Sequence, residues 1–249
     1  GASRINESAL RLQAQWFPQY NHKIEVGGSY SYSLFEPTKL VRVNARIPLP
    51  VNPVSNEFSS NEIMVYAEDE IKIDDKLLIR PGIHWANWVS AQFNYAGFQP
   101  RLYASYRLAG NHLFYGSVSR MVQFLHLISN NSYGLPADFW VPSTEKITPE
   151  RGWVSTLGYS GKYRGAHYSA ELYYKNTDGA IVYTTGKNIF DHSPRWQDKI
   201  MQGKGWGYGL EVAGEKWFGP VRTSLTYALS WSWRQFEHLN DGKAFPYRY

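Results

Sequence analysis

The sequence contains no cysteine among its 249 residues. Disulfides and thiolate metal sites are therefore excluded. It also has no apolar run of about 18 residues, which excludes a transmembrane helix. The 26 basic residues are scattered rather than gathered into a stripe, so the net charge of +5 does not predict a nucleic-acid-binding protein.

Aromatic residues are abundant by contrast. They make up 16% of the chain, with 19 Tyr and 10 Trp against 3 Met. Tyr and Trp favour membrane–water interfaces because each joins an apolar body to a polar tip. The mean hydropathy of -0.46 is compatible with a membrane β-barrel, because only alternate residues of each strand meet lipid.

A two-residue alternation runs through much of the chain. Between residues 23 and 35 one face would carry Ile24, Val26, Gly28, Tyr30, Tyr32 and Leu34, and the other Glu25, Gly27, Ser29, Ser31 and Ser33. Near the end, Leu225, Tyr227, Leu229, Trp231 and Trp233 alternate with Ser224, Thr226, Ala228, Ser230 and Ser232. Successive strand side chains point to opposite faces, so each segment predicts a strand with an aromatic face and a small-polar face.

Ten strands are predicted, and their connectors alternate in length. The strands are 8–18, 22–35, 62–73, 77–88, 98–109, 112–124, 151–162, 167–178, 204–217 and 221–236. The tight connectors are 19–21, 74–76, 110–111, 161–165 and 218–220. The longer ones are 36–61, 89–97, 125–150, 179–203 and the polar tail from Glu237, whose Pro and Gly predict a loop. Short turns at one rim and long loops at the other predict an all-β, antiparallel, up-and-down transmembrane β-barrel.

The alternation also predicts which side chains face lipid. The residues expected to point outward are Tyr30, Tyr32, Leu34, Leu210, Val212, Leu225, Leu229 and Trp231. Those expected to point inward are Ser29, Ser31, Glu211, Ser230 and Ser232. Replacing Leu225 by Arg is expected to cost about 2–4 kcal/mol if it lies near the midplane.

Sequence motifs typical of catalytic, metal-binding or phosphate-binding sites are weak or absent. The seven histidines form no H-E-x-x-H motif, and loop residues His126 and His192 are expected to be solvated. The acidic run from Glu68 to Asp75 has no EF-hand spacing, so a solvated turn is expected. The alternating glycines of residues 203–209 fit no phosphate-binding motif and predict a strand crowded against something inside the barrel. No catalytic residue, metal or cofactor is predicted.

Aromatic residues of the long loops are the candidate ligand contacts, because planar rings stack on sugars and other planar ligands. They are Tyr133, Phe139, Trp140, Phe190 and Trp196. Packing of the loops on each other, or an outer aromatic girdle, is the alternative interpretation.

Several blocks of the sequence resemble TonB-dependent outer-membrane receptors. These blocks are FWVPSTE at 139–145, ITPER at 147–151, GKGWGYG at 203–209, VYAEDE at 65–70 and FPYRY at 245–249. The first two resemble a W-x-P-S/T-x-x-I-x-P-E/Q-R pattern at a loop-to-strand passage. The resemblance spans most of residues 60–249.

The resemblance implies a 22-stranded barrel in the outer membrane of a Gram-negative bacterium. Such receptors import a scarce nutrient, such as a siderophore, cobalamin, haem, a peptide or a glycan. The implied partners are outer-membrane lipid, the remainder of the barrel, a plug domain inside it, the TonB–ExbB–ExbD complex and, in some receptors, a surface lipoprotein.

The sequence shows no plug, TonB box or signal sequence, and ten strands cannot close a 22-stranded barrel. Residues 1–249 are therefore expected to be part of the barrel domain. Strands 8–18 and 221–236 are expected not to pair with each other.

Two other architectures stay open from the residues alone. One is a complete ten-stranded barrel, either a passive pore or an omptin-like hydrolase, with Asp191, His192 and Asp198 in one loop as thin support for catalysis. The other is a secreted carbohydrate-binding sandwich, in which Tyr30, Tyr32, Trp231 and Trp233 would pack in a dry core. Pairing of the first and last strands would favour the small barrel.

Overall fold

A computed structural model describes residues 4–36, 58–109, 111–130, 137–184 and 196–247. The strands are β1 (Arg4–Gln19), β2 (His22–Glu36), β3 (Phe58–Lys72), β4 (Leu77–Ser90), β5 (Asn94–Leu108), β6 (His112–Gln123), β7 (Leu125–Asn130), β8 (Ala137–Pro142), β9 (Glu150–Tyr163), β10 (Ala166–Tyr183), β11 (Ile200–Phe218), β12 (Val221–Gln235) and β13 (Phe245–Pro246). Two short 3-10 turns cover Trp196–Lys199 and Asn240–Gly242.

Eleven strands form one antiparallel sheet in the order β1-β2-β3-β4-β5-β6-β9-β10-β11-β12-β13. The predicted up-and-down topology is therefore confirmed, with the β7–β8 hairpin set apart as a second sheet. The five predicted tight turns join β1–β2, β3–β4, β5–β6, β9–β10 and β11–β12, which places them all at one rim.

The two ends of the sheet remain apart. β1 pairs only with β2, while β12 lies at the other side of the sheet, next to β11 and β13. The prediction that strands 8–18 and 221–236 do not pair is confirmed. A complete ten-stranded barrel would need β1 to pair with β12, because a closed barrel has no free edge. The observed strand order lacks this pairing.

The cross-strand register separates an apolar face from a polar face. Directly opposite residues share a face, and one apolar row runs from Leu157 to Leu172, Leu210 and Leu229 across four strands. The predicted outward and inward sets lie on opposite faces of their strands, with Leu225 75% exposed on the apolar one. In the barrel fold the apolar face meets lipid and the polar face lines the lumen.

The sandwich interpretation is wrong. Tyr30, Tyr32 and Trp231 are exposed instead of packing together in a dry core. The only other sheet in the described residues is the β7–β8 hairpin, which is too small to cover an eleven-stranded face.

Three local predictions are also wrong. The connector predicted at 89–97 is shorter than expected, because β4 ends at Ser90 and β5 begins at Asn94. The three residues between them form a tight turn, closed by a 2.8 Å backbone hydrogen bond between Ser90 and Phe93. β10 does not end at 178, since Gly179, with a φ of 86°, forms a bulge that lets pairing with β11 continue to Tyr183. The tail is not purely a loop: Phe245–Pro246 returns to pair with Trp233 and Arg234.

Two small apolar clusters lie at the rim with the long connectors. One contains Ile128, Ile147, Ile181 and Ile200, joining β7 and the 143–149 segment to β10 and β11. The other contains Ala86, Trp88 and Phe124. Together they attach the residues after β6 to the wall of the sheet.

Candidate functional site: the polar face and its rim

Glycines of the polar face accommodate aromatic rings from neighbouring strands. A Cβ built on Gly27 would lie 2.5 Å from the ring of Tyr66, one on Gly158 2.1 Å from Tyr115, and one on Gly209 2.7 Å from Tyr173. The sequence predicted that the glycines of 203–209 are crowded by something inside the barrel. Side chains of the adjacent strand on this same face, Tyr173 and Lys175, cover Gly209 and Gly207.

One charged network on this face is internally balanced. Glu25 and Glu68 lie directly opposite each other on β2 and β3. Glu25 accepts hydrogen bonds from Gln15 Nε2 at 2.9 Å and Tyr66 Oη at 3.2 Å. Glu68 lies 3.2 Å from Arg101 Nη1 and 3.1 Å from His84 Nε2. The two like charges are thus offset by a cation and by polar hydrogen atoms.

A second pair of carboxylates is not balanced. Glu171 of β10 and Glu211 of β11 are directly opposite on the polar face. Tyr115 Oη donates to Glu171 Oε2 at 2.8 Å, but Glu211 has no hydrogen bond or ion pair within the described residues. Like charges directly opposite destabilise a sheet. This part of the lumen wall therefore favours a cationic group approaching from the lumen.

The acidic run at residues 68–75 is divided between the two faces. Asp69 falls on the apolar face, where its Oδ2 lies 2.7 Å from His22 Nδ1. Glu70 pairs with Arg80 on the polar face. Asp74 Oδ1 accepts the Leu77 and Lys76 backbone N–H groups, both at 2.7 Å, which lowers the pKa of that carboxyl. Among the described residues no three His, Asp or Glu side chains converge as metal ligands.

His126 of β7 is buried, so the prediction of a solvated loop histidine is wrong. Its Nε2 lies 3.2 Å from Ser143 Oγ, which itself donates to the Phe124 carbonyl at 2.9 Å. His126 Nε2 and Ser143 Oγ therefore form a buried hydrogen-bonded pair.

The other nitrogen of this ring is unsatisfied. His126 Nδ1 has no hydrogen-bond partner within the described residues, and Glu150 Oε2 lies 4.0 Å away. Burial lowers the pKa of His126 to about 4, an effect that the Thr148 backbone partly offsets. The imidazole is therefore neutral at pH 7. The burial of His126 could not be predicted from the sequence, because it depends on how the β7–β8 hairpin folds back onto the sheet.

Of the five predicted ligand contacts, only Trp140 is described in full. Trp140 lies on β8, 48% exposed, directly opposite the exposed Leu127 of β7. Phe139 and Trp196 belong to β8 and a 3-10 turn, but their side chains lie outside the described residues. Tyr133 and Phe190, like His192, lie outside them entirely.

The loop proposed for omptin-like catalysis gains no support. Asp191 and His192 lie outside the described residues. Asp198 instead forms an ion pair with Lys146. In the described part of the chain, no helix is both long and apolar enough to span a membrane.

Comparison with known proteins gives a family and several similar structures. Residues 3–248 match the family described as TonB dependent receptor-like, beta-barrel. The FrpB iron transporter from Neisseria meningitidis (F3-3 variant) is similar at 10% identity and a TM-score of 0.70, covering 96% of this chain and 37% of its own. The siderophore receptor PirA from Pseudomonas aeruginosa is 16% identical with a TM-score of 0.64, over 94% and 46%.

The copper transporter OprC is similar as well, at 14% identity and a TM-score of 0.66, over 98% of this chain and 39% of its own. The chain thus spans less than half the length of these structures. No curated protein matches the sequence. The structural likenesses support the open antiparallel wall described above, and the match over residues 3–248 covers nearly the whole chain: the protein belongs to the TonB-dependent receptor β-barrel family.

Proposed function

We propose that this chain is part of the wall and extracellular rim of an outer-membrane active-transport receptor in a Gram-negative bacterium. Residues 1–249 supply strands of a 22-stranded barrel, and a plug domain occupies the lumen. The receptor imports a scarce nutrient with energy delivered by TonB–ExbB–ExbD, and it carries no catalytic site. The similar structures are an iron transporter, a siderophore receptor and a copper transporter, so a metal-bearing cargo is the first class to test.

The observation that carries this proposal is the Glu171–Glu211 pair, in which Glu211 has no hydrogen bond or ion pair within the described residues. A water-filled passive pore gives two facing carboxylates no fixed partner, whereas a domain inside the lumen can supply an Arg or Lys side chain to both. The balanced Glu25–Glu68 pair on the same face serves as the contrast, since its cation comes from the wall itself.

Charge reversal at this pair tests the proposal in the full-length receptor. Ferric siderophores, haem, cobalamin and copper are supplied one at a time at limiting concentration. At least one of them is expected to support growth of cells that carry the receptor, and only when TonB is present. The double variant Glu171→Lys and Glu211→Lys is expected to lose uptake at least tenfold at an unchanged amount in the outer membrane, because its lysines repel the lumen cation.

The matched control is Glu237→Lys, an exposed carboxylate in the segment after β12. It reverses one charge without touching the lumen wall and should leave uptake unchanged. Uptake that is equally fast with and without TonB would mean a passive pore. Wild-type uptake by the double Lys variant would remove the lumen cation from the account.

The extracellular rim is proposed to contact the cargo through Tyr133, Phe139, Trp140, Phe190 and Trp196. A surface lipoprotein is the proposed partner that covers this rim. The exposed Trp140–Leu127 pair supports this for Trp140. Trp140→Ala is expected to weaken cargo binding about tenfold, as loss of an aromatic anchor does. Binding of the imported cargo to the purified receptor, measured by calorimetry, checks this; Trp153→Ala on the apolar face is the control.

A further inference from the structure

Within the described residues, the apolar face has a shallow, open notch near the rim with the tight turns. It has a volume of about 220 Å³, and its lining includes Tyr168, Gly214, Glu215, Lys216, Thr223 and Leu225. Gly214 lies directly between Tyr168 on β10 and Leu225 on β12. A Cβ added to Gly214 would meet nothing within 4 Å. The missing side chain therefore leaves open space between a tyrosine and a leucine.

A cation and a hydroxyl lie at the mouth of this notch. Lys216 is two residues along β11 from Gly214, about 7 Å toward the tight turn, and Thr223 is directly opposite it on β12. The Lys216 ammonium lies 5.0 Å from the centre of the Phe218 ring. Lys216 has no ion pair within the described residues, because the neighbouring Glu215 points to the other face and binds Arg222 at 2.7 Å.

We propose that this notch, with Lys216 and Thr223 at its mouth, binds one phospholipid of the periplasmic leaflet. The phosphate lies against the Lys216 ammonium and the Thr223 hydroxyl, and an acyl chain fills the space over Gly214. The positive charge of Lys216 favours an anionic phosphate headgroup. The apolar walls of the notch favour an acyl chain. The notch lies at the height where headgroup and hydrocarbon meet, because the turn at 219–220 follows Lys216 by only three residues.

Native mass spectrometry of the full-length receptor in detergent tests the site. Incubation with palmitoyl-oleoyl phosphatidylglycerol is expected to leave one lipid on the wild-type protein. Gly214→Leu fills the notch and Lys216→Gln removes the cation, so each is expected to lower retention at least fivefold. The controls are Val212→Leu on the same face and Lys76→Gln at another turn of the same rim, and both should retain lipid like the wild type.

Two further probes test whether the acyl tails alone, or the phosphate alone, are sufficient for binding. Dioleoylglycerol, which has tails but no phosphate, and inorganic phosphate alone are both expected not to be retained. Wild-type retention by Lys216→Gln, or equal retention of diacylglycerol, overturns the proposal, as does phosphate bound without lipid. Lys216→Gln decides the case alone if Gly214→Leu does not fold. The test does not depend on cargo or TonB, so its outcome is independent of the transport proposal.

Discussion

Replacing Leu172 by Arg is expected to cost about 2–4 kcal/mol of barrel stability, the penalty for a cation at the bilayer midplane. Leu172 lies at mid-height in the leucine row that crosses β9 to β12, and its side chain is 53% exposed on the apolar face. A guanidinium at this position has no partner in hydrocarbon and must be desolvated or draw water into the bilayer. Urea titration of the full-length receptor refolded in lipid vesicles measures the loss.

The matched control is Ser230→Arg. Ser230 lies one position from Leu229 on β12, so its height is nearly the same, but it points to the polar face. The lumen can hydrate a guanidinium, and the expected change in the free energy of unfolding is below about 1 kcal/mol. Equal penalties for Leu172→Arg and Ser230→Arg would contradict the assignment of faces.

Acidification is expected to release the β7–β8 hairpin from the rim. The pKa of His126 is about 4 in the folded state, against an ordinary value of 6.5. A depressed histidine pKa stabilises the fold fully above 6.5, and this stabilisation is lost as the pH falls from 6.5 to 4. The difference corresponds to roughly 3 kcal/mol. Hydrogen exchange of amides in β7 and β8 should therefore speed up markedly between pH 7 and pH 5, after correction for intrinsic rates.

His126→Gln removes the titrating group, and its exchange rates should not depend on pH beyond the intrinsic correction. His238→Gln is the control, because His238 is exposed and its replacement should leave the wild-type pH response intact. A wild-type hairpin with the same protection at pH 5 as at pH 7 would falsify the role given to His126.

The alternation of side chains was sufficient to predict most of the sheet. Side chains that face lipid are apolar and those that face the lumen are polar, and the two kinds alternate along a strand. The period-two pattern therefore also predicts that Tyr30, Tyr32 and Leu225 point outward. The tight turns were equally predictable, because Asn, Asp and Gly mark them. The pattern failed where a connector kept the alternation, as at residues 89–97, and where a glycine bulge continued a strand past Asp178.

The site could be predicted less well than the fold. Glu211 was expected to point inward, but the facing of Glu171 and Glu211 depends on cross-strand register, which one strand's pattern does not specify. The burial of His126 depends on a hairpin folding back onto β10 and β11, a contact between residues far apart in sequence. The aromatic loop residues were predicted as ligand contacts from their residue type alone. An aromatic residue that packs loops together has the same residue type, so the sequence does not distinguish the two roles.

The most direct test of the central claim, that this sheet is a lipid-facing and lumen-facing barrel wall, is nitroxide scanning along β12. The 249 residues contain no native cysteine, so single cysteine substitutions at positions 225–232 of the receptor in lipid vesicles provide defined labelling sites in this segment. Collision with oxygen, which concentrates in lipid, is expected to be high at 225, 227, 229 and 231 and low at the positions between them. A profile without a two-residue period, or with its maxima at 226, 228, 230 and 232, would contradict the account.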